Sequence, residues 1–326
     1  MRRRDVILLF GLSALLRPLP VTAQRSDRVR RIGWIEGLRT STYIWADVAE
    51  HLQPLGWTRG SNVRADMHVP TRLDQLPSIA KELVATRPDL IVTNGTPATL
   101  AVLAETHTLP IVFFGVADPV GNGIISNPTR PGGNVTGFTT FESSLAGKWV
   151  QLLKELDPQI RRVAILLNPE TTPNRSSPFV REFEATAASL QIEPILAYVR
   201  DFSGVEPVVA ALGSEPHGAL LVLPDEFNWA YESQIIDVAN RHRVPAIYGY
   251  RYAAATGGVI AYGPADEGYS QALAVYIDRI LDGARPRDLP VQAPTRYTLA
   301  INLMAARRLG LSIPSAILAA ADEVIE

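Results

Sequence analysis

The sequence predicts an α/β fold: two Rossmann-like lobes, each a parallel sheet covered by helices on both faces. Three observations carry this expectation. Short apolar runs bounded by turn residues alternate with amphipathic windows of helical period, and the connections between them are short. The alternation occurs in two series of similar size, separated by a Pro/Gly-rich loop at residues 127–134. A length of 326 residues fits two domains at roughly 150 residues each.

The first series begins with a strand at 31–36 and a loop at 37–42. A helix over 43–55 places Ile44, Val48, His51 and Leu52 on one face, and Gly56 ends it. Residues 62–69 alternate, with Val63, Ala65 and Met67 on one side, which marks a strand. Leu73, Leu76, Ile79, Ala80 and Leu83 mark a helix over about 72–86. Leu90 to Val92 is a short buried strand, and residues 93–96 form a tight polar turn. Pro97 suits the first turn of the next helix, with Thr96 as its N-cap. The fourth strand covers 110–114.

The second series opens with a helix at 143–156. Strands follow at 162–167, 193–199, 218–223 and 244–248, with helices near 177–190, 204–212 and 230–241. The Gly-rich extended stretch 257–263 is expected to return the chain to the first lobe. A strongly amphipathic helix spans 269–281, short strands lie at 289–291 and 297–302, and a short helix at 303–309. The expected organisation is an N-terminal lobe of 24–137 plus about 262–290. The C-terminal lobe is 138–261 plus part of 291–326, with a hinge near 137–142, 257–263 and 290–296.

Composition narrows the function classes. A hydrophobic content of 47% and a charged content of 20% are ordinary for a globular protein. A net charge of −2 argues against a nucleic-acid partner, which needs a basic face. The chain has no cysteine, which excludes disulfides, thiolate metal sites, cysteine nucleophiles and a lipid-modified cysteine anchor. The five histidines show no metal-ligand spacing. No cofactor or metal is expected.

The N-terminus reads as an export signal. Arg2, Arg3 and Arg4 precede an apolar run over 6–16, too short to span a bilayer, and Val21-Thr22-Ala23 supplies small residues for cleavage. Arg3-Arg4 followed by Asp5-Val6-Ile7 resembles a twin-arginine signal; an ordinary secretory signal with a basic start is the other reading. Cleavage after Ala23 leaves 27 basic against 32 acidic residues, a net charge of −5. The expected location is the periplasm, without a lipid anchor.

Asp89 to Ala98 runs a strand straight into a helix N-terminus. The free N–H groups and positive dipole end there suit a carboxylate or other small anion, although the same residues also read as a plain helix cap. Gly-x-Ser-x-Gly, the P-loop pattern and a GxGxxG after the first strand are all missing. An exported α/β hydrolase is therefore the weakest function class.

Several segments together resemble the ABC-transporter substrate-binding proteins of the tryptophan/tyrosine type. They are Arg31-Ile32-Gly33, Gly95-Thr96-Pro97-Ala98, Asp118-Pro119-Val120, and Pro131 to Gly137. Tyr262-Gly263-Pro264, Ile280 to Ala284, Pro290 to Pro294, Ile301-Asn302-Leu303 and the final Ala321 to Glu326 complete the set. The resemblance implies a type I periplasmic-binding-protein architecture, with two lobes, three crossover segments and a ligand between them. It also implies a non-enzymatic, monomeric receptor that delivers a small solute (an amino acid, aromatic acid or other small carboxylate) to ABC permease transmembrane subunits. A ligand-sensing module for a membrane receptor would share the same fold and site.

Such a ligand needs donors for its carboxylate and an acceptor for its ammonium. Asn94, Gly95 and Thr96 suit the first role, with Thr40 and Ser41 of the first loop beside them. Ala117 and Asp118 follow the fourth strand, and Asp118-Pro119 reads equally as a turn. Asn168 and Asp225 follow strands of the second lobe; Asp225 is the expected ammonium partner or, alternatively, a helix N-cap. Tyr248, Tyr250 and Tyr262 are expected to pack on the ligand. Arg39 would add a guanidinium suited to a dicarboxylate or aromatic acid.

Overall fold

The computed structural model describes residues 28–38, 42–172, 177–265 and 268–326. The expected signal segment, Arg39, Thr40 and Ser41 lie outside the described residues. The first sheet holds β1 (Arg30–Ile35), β2 (Val63–His68), β3 (Leu90–Asn94), β4 (Ile111–Val116) and β5 (Val135–Thr139). They are all parallel, in the order β2-β1-β3-β4-β5.

Strand alternation sends the apolar side chains to two opposite cores. Ile32, Trp34, Leu90, Val92, Val112 and Phe114 face α1 (Thr42–Leu52) and α10 (Tyr269–Leu281). Ile91, Ile111 and Phe113 face α2 (Leu76–Ala85) and α3 (Thr96–Glu105). Full burial of each such side chain contributes about 1.5–3 kcal/mol, which is why these runs are apolar on both faces.

The second sheet holds β6 (Arg162–Leu167), β7 (Glu193–Tyr198), β8 (Gly218–Val222), β9 (Ala246–Tyr248), β10 (Ile260–Pro264), β11 (Tyr297–Asn302) and β12 (Glu323–Ile325). Their order is β12-β11-β10-β9-β8-β6-β7, parallel except for the β10–β11 pair. One face packs on α4 (Ser144–Leu156) and α5 (Pro178–Ser189), the other on α6 (Val205–Ser214) and α8 (Glu232–Arg241). Short α7 (Glu226–Ala230) and α9 (Arg251–Ala255), together with α11 (Leu303–Arg308) and α12 (Ser315–Ala320), complete the lobe. Among the described residues no helix is long and apolar enough to cross a membrane.

Three segments join the lobes. Phe141 already packs in the second core, so the chain crosses just after β5. It returns between Pro264 and Tyr269, because β10 pairs within the second sheet and α10 packs on the first. The Gly-rich stretch expected to cross at 257–263 instead runs into β10. Gly263 is there for space: a Cβ on it would lie 1.6 Å from the Gly249 carbonyl oxygen. The third segment lies between Gln292, which exchanges hydrogen bonds with Gly137 and Thr139 of the first lobe, and β11. The second and third segments are tied to each other by Ala265 N–H donating to the Arg296 carbonyl at 3.0 Å. The expected strand at 289–291 does not form; Val291 N–H donates to Pro128 O, and residues 286–288 make a single 3₁₀ turn.

Candidate functional site

The carboxyl ends of β3 and β4 face those of β6, β8 and β9 across a cavity of about 810 Å³. All three connecting segments line it, through Thr139 and Thr140, Ala265, and Ala293 to Arg296. The volume is that of a small-molecule site.

Aromatic rings stand on both walls. In the first lobe Phe114, Phe138 and Tyr269 line the cavity, with Tyr269 set edge-on to Phe138 at 5.7 Å and to Phe114 at 6.2 Å. Behind them Trp34 packs 5.5 Å from Phe114, which holds that wall in place. In the second lobe Trp229, Tyr250 and Tyr252 form the opposite wall; Trp229 meets Tyr250 edge-on at 4.4 Å. Tyr250 is itself held by Phe141 at 5.1 Å. Burial pushes the Tyr250 and Tyr269 phenols above their usual range, so both remain neutral donors.

The charge on the lining is mostly negative. Among the described residues Asp47, Asp118, Asp225, Glu226 and Glu232 line the cavity against the single guanidinium of Arg296. Burial raises Asp225 to about 6 and Glu226 to about 7, each held down in part by backbone N–H donors. Just behind the cavity, Glu36 is fully buried and accepts from Trp34 Nε1 at 2.8 Å and Asn94 Nδ2 at 3.0 Å. Burial raises its carboxyl as well, against those hydrogen bonds.

The sequence-predicted residues divide. Asn94, Thr96, Ala117, Asp118, Asp225 and Tyr250 all line the one cavity, so Thr96 and Asp225 stand on walls from different lobes. Gly95, not Thr96, caps α3, because the cap needs φ +86 and ψ 162, a conformation glycine adopts without a Cβ penalty. Asp118 sits in the left-handed region at φ +46, and its Oδ1 accepts from Gly121 N–H at 2.9 Å, so it also closes a turn. Asp225 is the N-cap of α7, accepting from Asn228 N–H at 2.8 Å and Thr172 Oγ1 at 3.0 Å.

Gly95 is not among the lining residues, and three further predicted residues lie elsewhere. Tyr248 shares a face of β9 with Ala246 and is buried in the core under α6 and α8. Tyr262 pairs opposite Leu299 in the second sheet and stacks on Tyr297 at 5.8 Å. Asn168 is buried and spent on backbone groups, with Nδ2 donating to Arg200 O after β7 and Oδ1 accepting from Glu170 N–H in its own loop. Cavity residues outside the predicted set include Phe114, Phe138, Glu226, Trp229, Tyr252 and Tyr269. Glu226 and Trp229 belong to a five-residue helix with no readable period, and Tyr269 read only as the start of an amphipathic helix.

Among known families, the one described as ABC transporter substrate binding protein matches residues 42–325. The chain belongs to this family. A relative named Tyrosine-binding protein, from Clostridioides difficile (strain R20291), is 25% identical over 252 residues, 77% of this chain and 72% of its own. Two solved structures share the fold of this substrate-binding protein. A conserved domain protein from Vibrio cholerae O1 biovar El Tor matches with TM-score 0.82 and 25% identity, over 91% of this chain and all of its own. An ABC domain from Streptococcus pneumonia, solved in complex with L-Trp, matches with TM-score 0.81 and 24% identity over the same shares. This substrate-binding protein thus has a fold and cavity made for capturing a small solute for ABC transport.

Proposed function

We propose that this substrate-binding protein captures an aromatic amino acid, tryptophan or tyrosine in kind, in the periplasm and hands it to ABC permease transmembrane subunits. The observation that carries the reading is the pair of aromatic walls, Phe114, Phe138 and Tyr269 against Trp229, Tyr250 and Tyr252, around one cavity. A planar ring held between them gains stacking and edge contacts from both lobes. The names of the relatives, one for tyrosine and one solved with L-Trp, point the same way.

The polar groups suit the rest of such a ligand. The first-turn N–H groups of α3 at Thr96 and Ala98 have no intrahelical acceptor, and the helix dipole favours a carboxylate there. The acidic lining draws an ammonium group, with Asp225 on the second-lobe wall as the partner of choice. Export to the periplasm is supported by the basic start, short apolar run and Val21-Thr22-Ala23 of the N-terminus.

The test is a melting-temperature screen of the mature protein against L-tryptophan, L-tyrosine, L-phenylalanine, aromatic acids, short carboxylates and sugars. A ligand at 100 times its Kd adds about 2.7 kcal/mol to stability, so aromatic amino acids should raise the melting temperature by several degrees. A rise with sugars or short carboxylates and none with any aromatic amino acid refutes the assignment.

A further inference from the structure

Beside the cavity the first lobe carries a second, smaller feature: a socket at the ends of β1 and β3. Gly37 and Gly95 form its walls. A Cβ on Gly37 would lie 2.3 Å from Glu226 Oε2, and one on Gly95 would lie 2.1 Å from Glu226 Oε1. The three nearest atoms to each of those positions all belong to Glu226. Leu38 N–H, 188 positions away in sequence, donates to Glu226 Oε2 at 3.2 Å. Glu226 is the first residue of α7, and the neighbouring Asp225 cap, braced by Thr172, fixes the element that carries it. A second-lobe carboxylate is therefore seated in a first-lobe pocket that excludes any side chain of its own.

We propose that Glu226 is a closure latch, a positioning residue that enters the Gly37–Leu38–Gly95 socket only when the lobes close and so sets solute affinity and its pH dependence. The proposal rests on the solute-binding reading above. The groups facing Glu226 are Glu36 and Asn94 from the ends of β1 and β3, Asp225 from its own turn, and Tyr250 from the segment before α9. Arg39, next to Leu38 in the chain, lies outside the described residues.

The facing carboxylates give the latch a sign. In the closed arrangement burial first, then Asp225 and Glu36, raise Glu226 to about 7. Opening returns its carboxyl to water and to the ordinary value near ~4.3. The closed form then binds the proton more tightly than the open form. Its advantage is full at pH below the open-state value and is lost as pH rises through about 7.

The experiment measures L-tryptophan affinity by calorimetry, and the radius of gyration by solution scattering with and without L-tryptophan, from pH 5.5 to 8.5. It compares the wild type with Glu226→Gln and Gly37→Ala. The ratio of wild-type to Glu226→Gln affinity should fall by about tenfold across this range, because Glu226→Gln keeps the size and the acceptor and the Asp225 carboxyl is common to both. In Gly37→Ala the three atoms nearest the added Cβ all belong to Glu226, so it should fold normally, bind about tenfold more weakly and scatter as the more open form. A wild-type slope retained in Glu226→Gln, or wild-type affinity and compaction in Gly37→Ala, overturns the latch. Without ligand, the wild type should still expand as pH rises and Glu226→Gln should not; equal expansion of the two also overturns it. This arm reads the latch even where L-tryptophan fails to bind, a result that removes the ligand assignment instead.

Discussion

The Tyr269 hydroxyl accepts a hydrogen bond from Gly115 N–H at 3.1 Å, tying the first turn of α10 to the end of β4 across 154 positions. Gly115 has φ +68 and lies where the β4–β5 register shifts, so its N–H points away from the ladder and towards the cavity rim. One aromatic side chain thus satisfies a backbone donor freed by the irregular end of β4 and lines the cavity.

Tyr269→Phe keeps the ring and removes the acceptor. The Gly115 N–H then loses its partner, at a cost of about 1–3 kcal/mol. The expected result is a lower urea midpoint with an unchanged slope, together with a several-fold loss of L-tryptophan affinity. An unchanged midpoint would show that the hydroxyl contributes nothing at this rim.

Trp229 meets Tyr250 edge-on at 4.4 Å on the second-lobe wall. Trp229→Ala should weaken L-tryptophan binding by about tenfold, the order of one lost aromatic pair plus the lost contact area. Trp229→Phe should recover most of the affinity. Calorimetric affinities for the three proteins check this; equal affinity for wild type and the alanine variant would move the ring out of the site.

Asp225 gives a pH signature in stability. Burial raises its carboxyl to about 6 in the folded protein, against an unfolded value near ~3.9. The neutral form is the one folding favours, so the contribution is complete below the unfolded value and is lost as pH rises through about 6. Asp225→Asn preserves an N-cap acceptor and has no proton to lose. Relative to the wild type, its unfolding free energy should gain steadily from about pH 4 to 6.5 and then hold a constant margin, as read by denaturant unfolding at each pH.

The alternation of strands and helices was legible because each β-run is apolar on both faces and each long helix has a single apolar stripe. Arg162–Leu167, Tyr269–Leu281 and Tyr297–Asn302 form with the limits the pattern suggests. Short elements were not legible. In α7 and α9, five residues hold fewer than two helical turns, too few for a period to show. The Gly-rich stretch before Pro264 read as a crossing because glycine supplies both flexibility and space, and only packing against Gly249 distinguishes the two.

By itself the sequence determined two α/β lobes, the strand ends that face the cavity, and the placing of Asn94, Thr96, Ala117, Asp118, Asp225 and Tyr250 at those ends. Periodicity and turn chemistry are local, and they are written in neighbouring residues. Only the tertiary structure decided which tyrosines face the cavity, which residue caps α3, and that Glu226 enters a socket on the opposite lobe. Those outcomes depend on which face of a strand meets which helix, and on two glycines leaving room for a carboxylate well over a hundred residues away. Such contacts are set by the packing of whole elements, for which no short stretch of chain carries a signal.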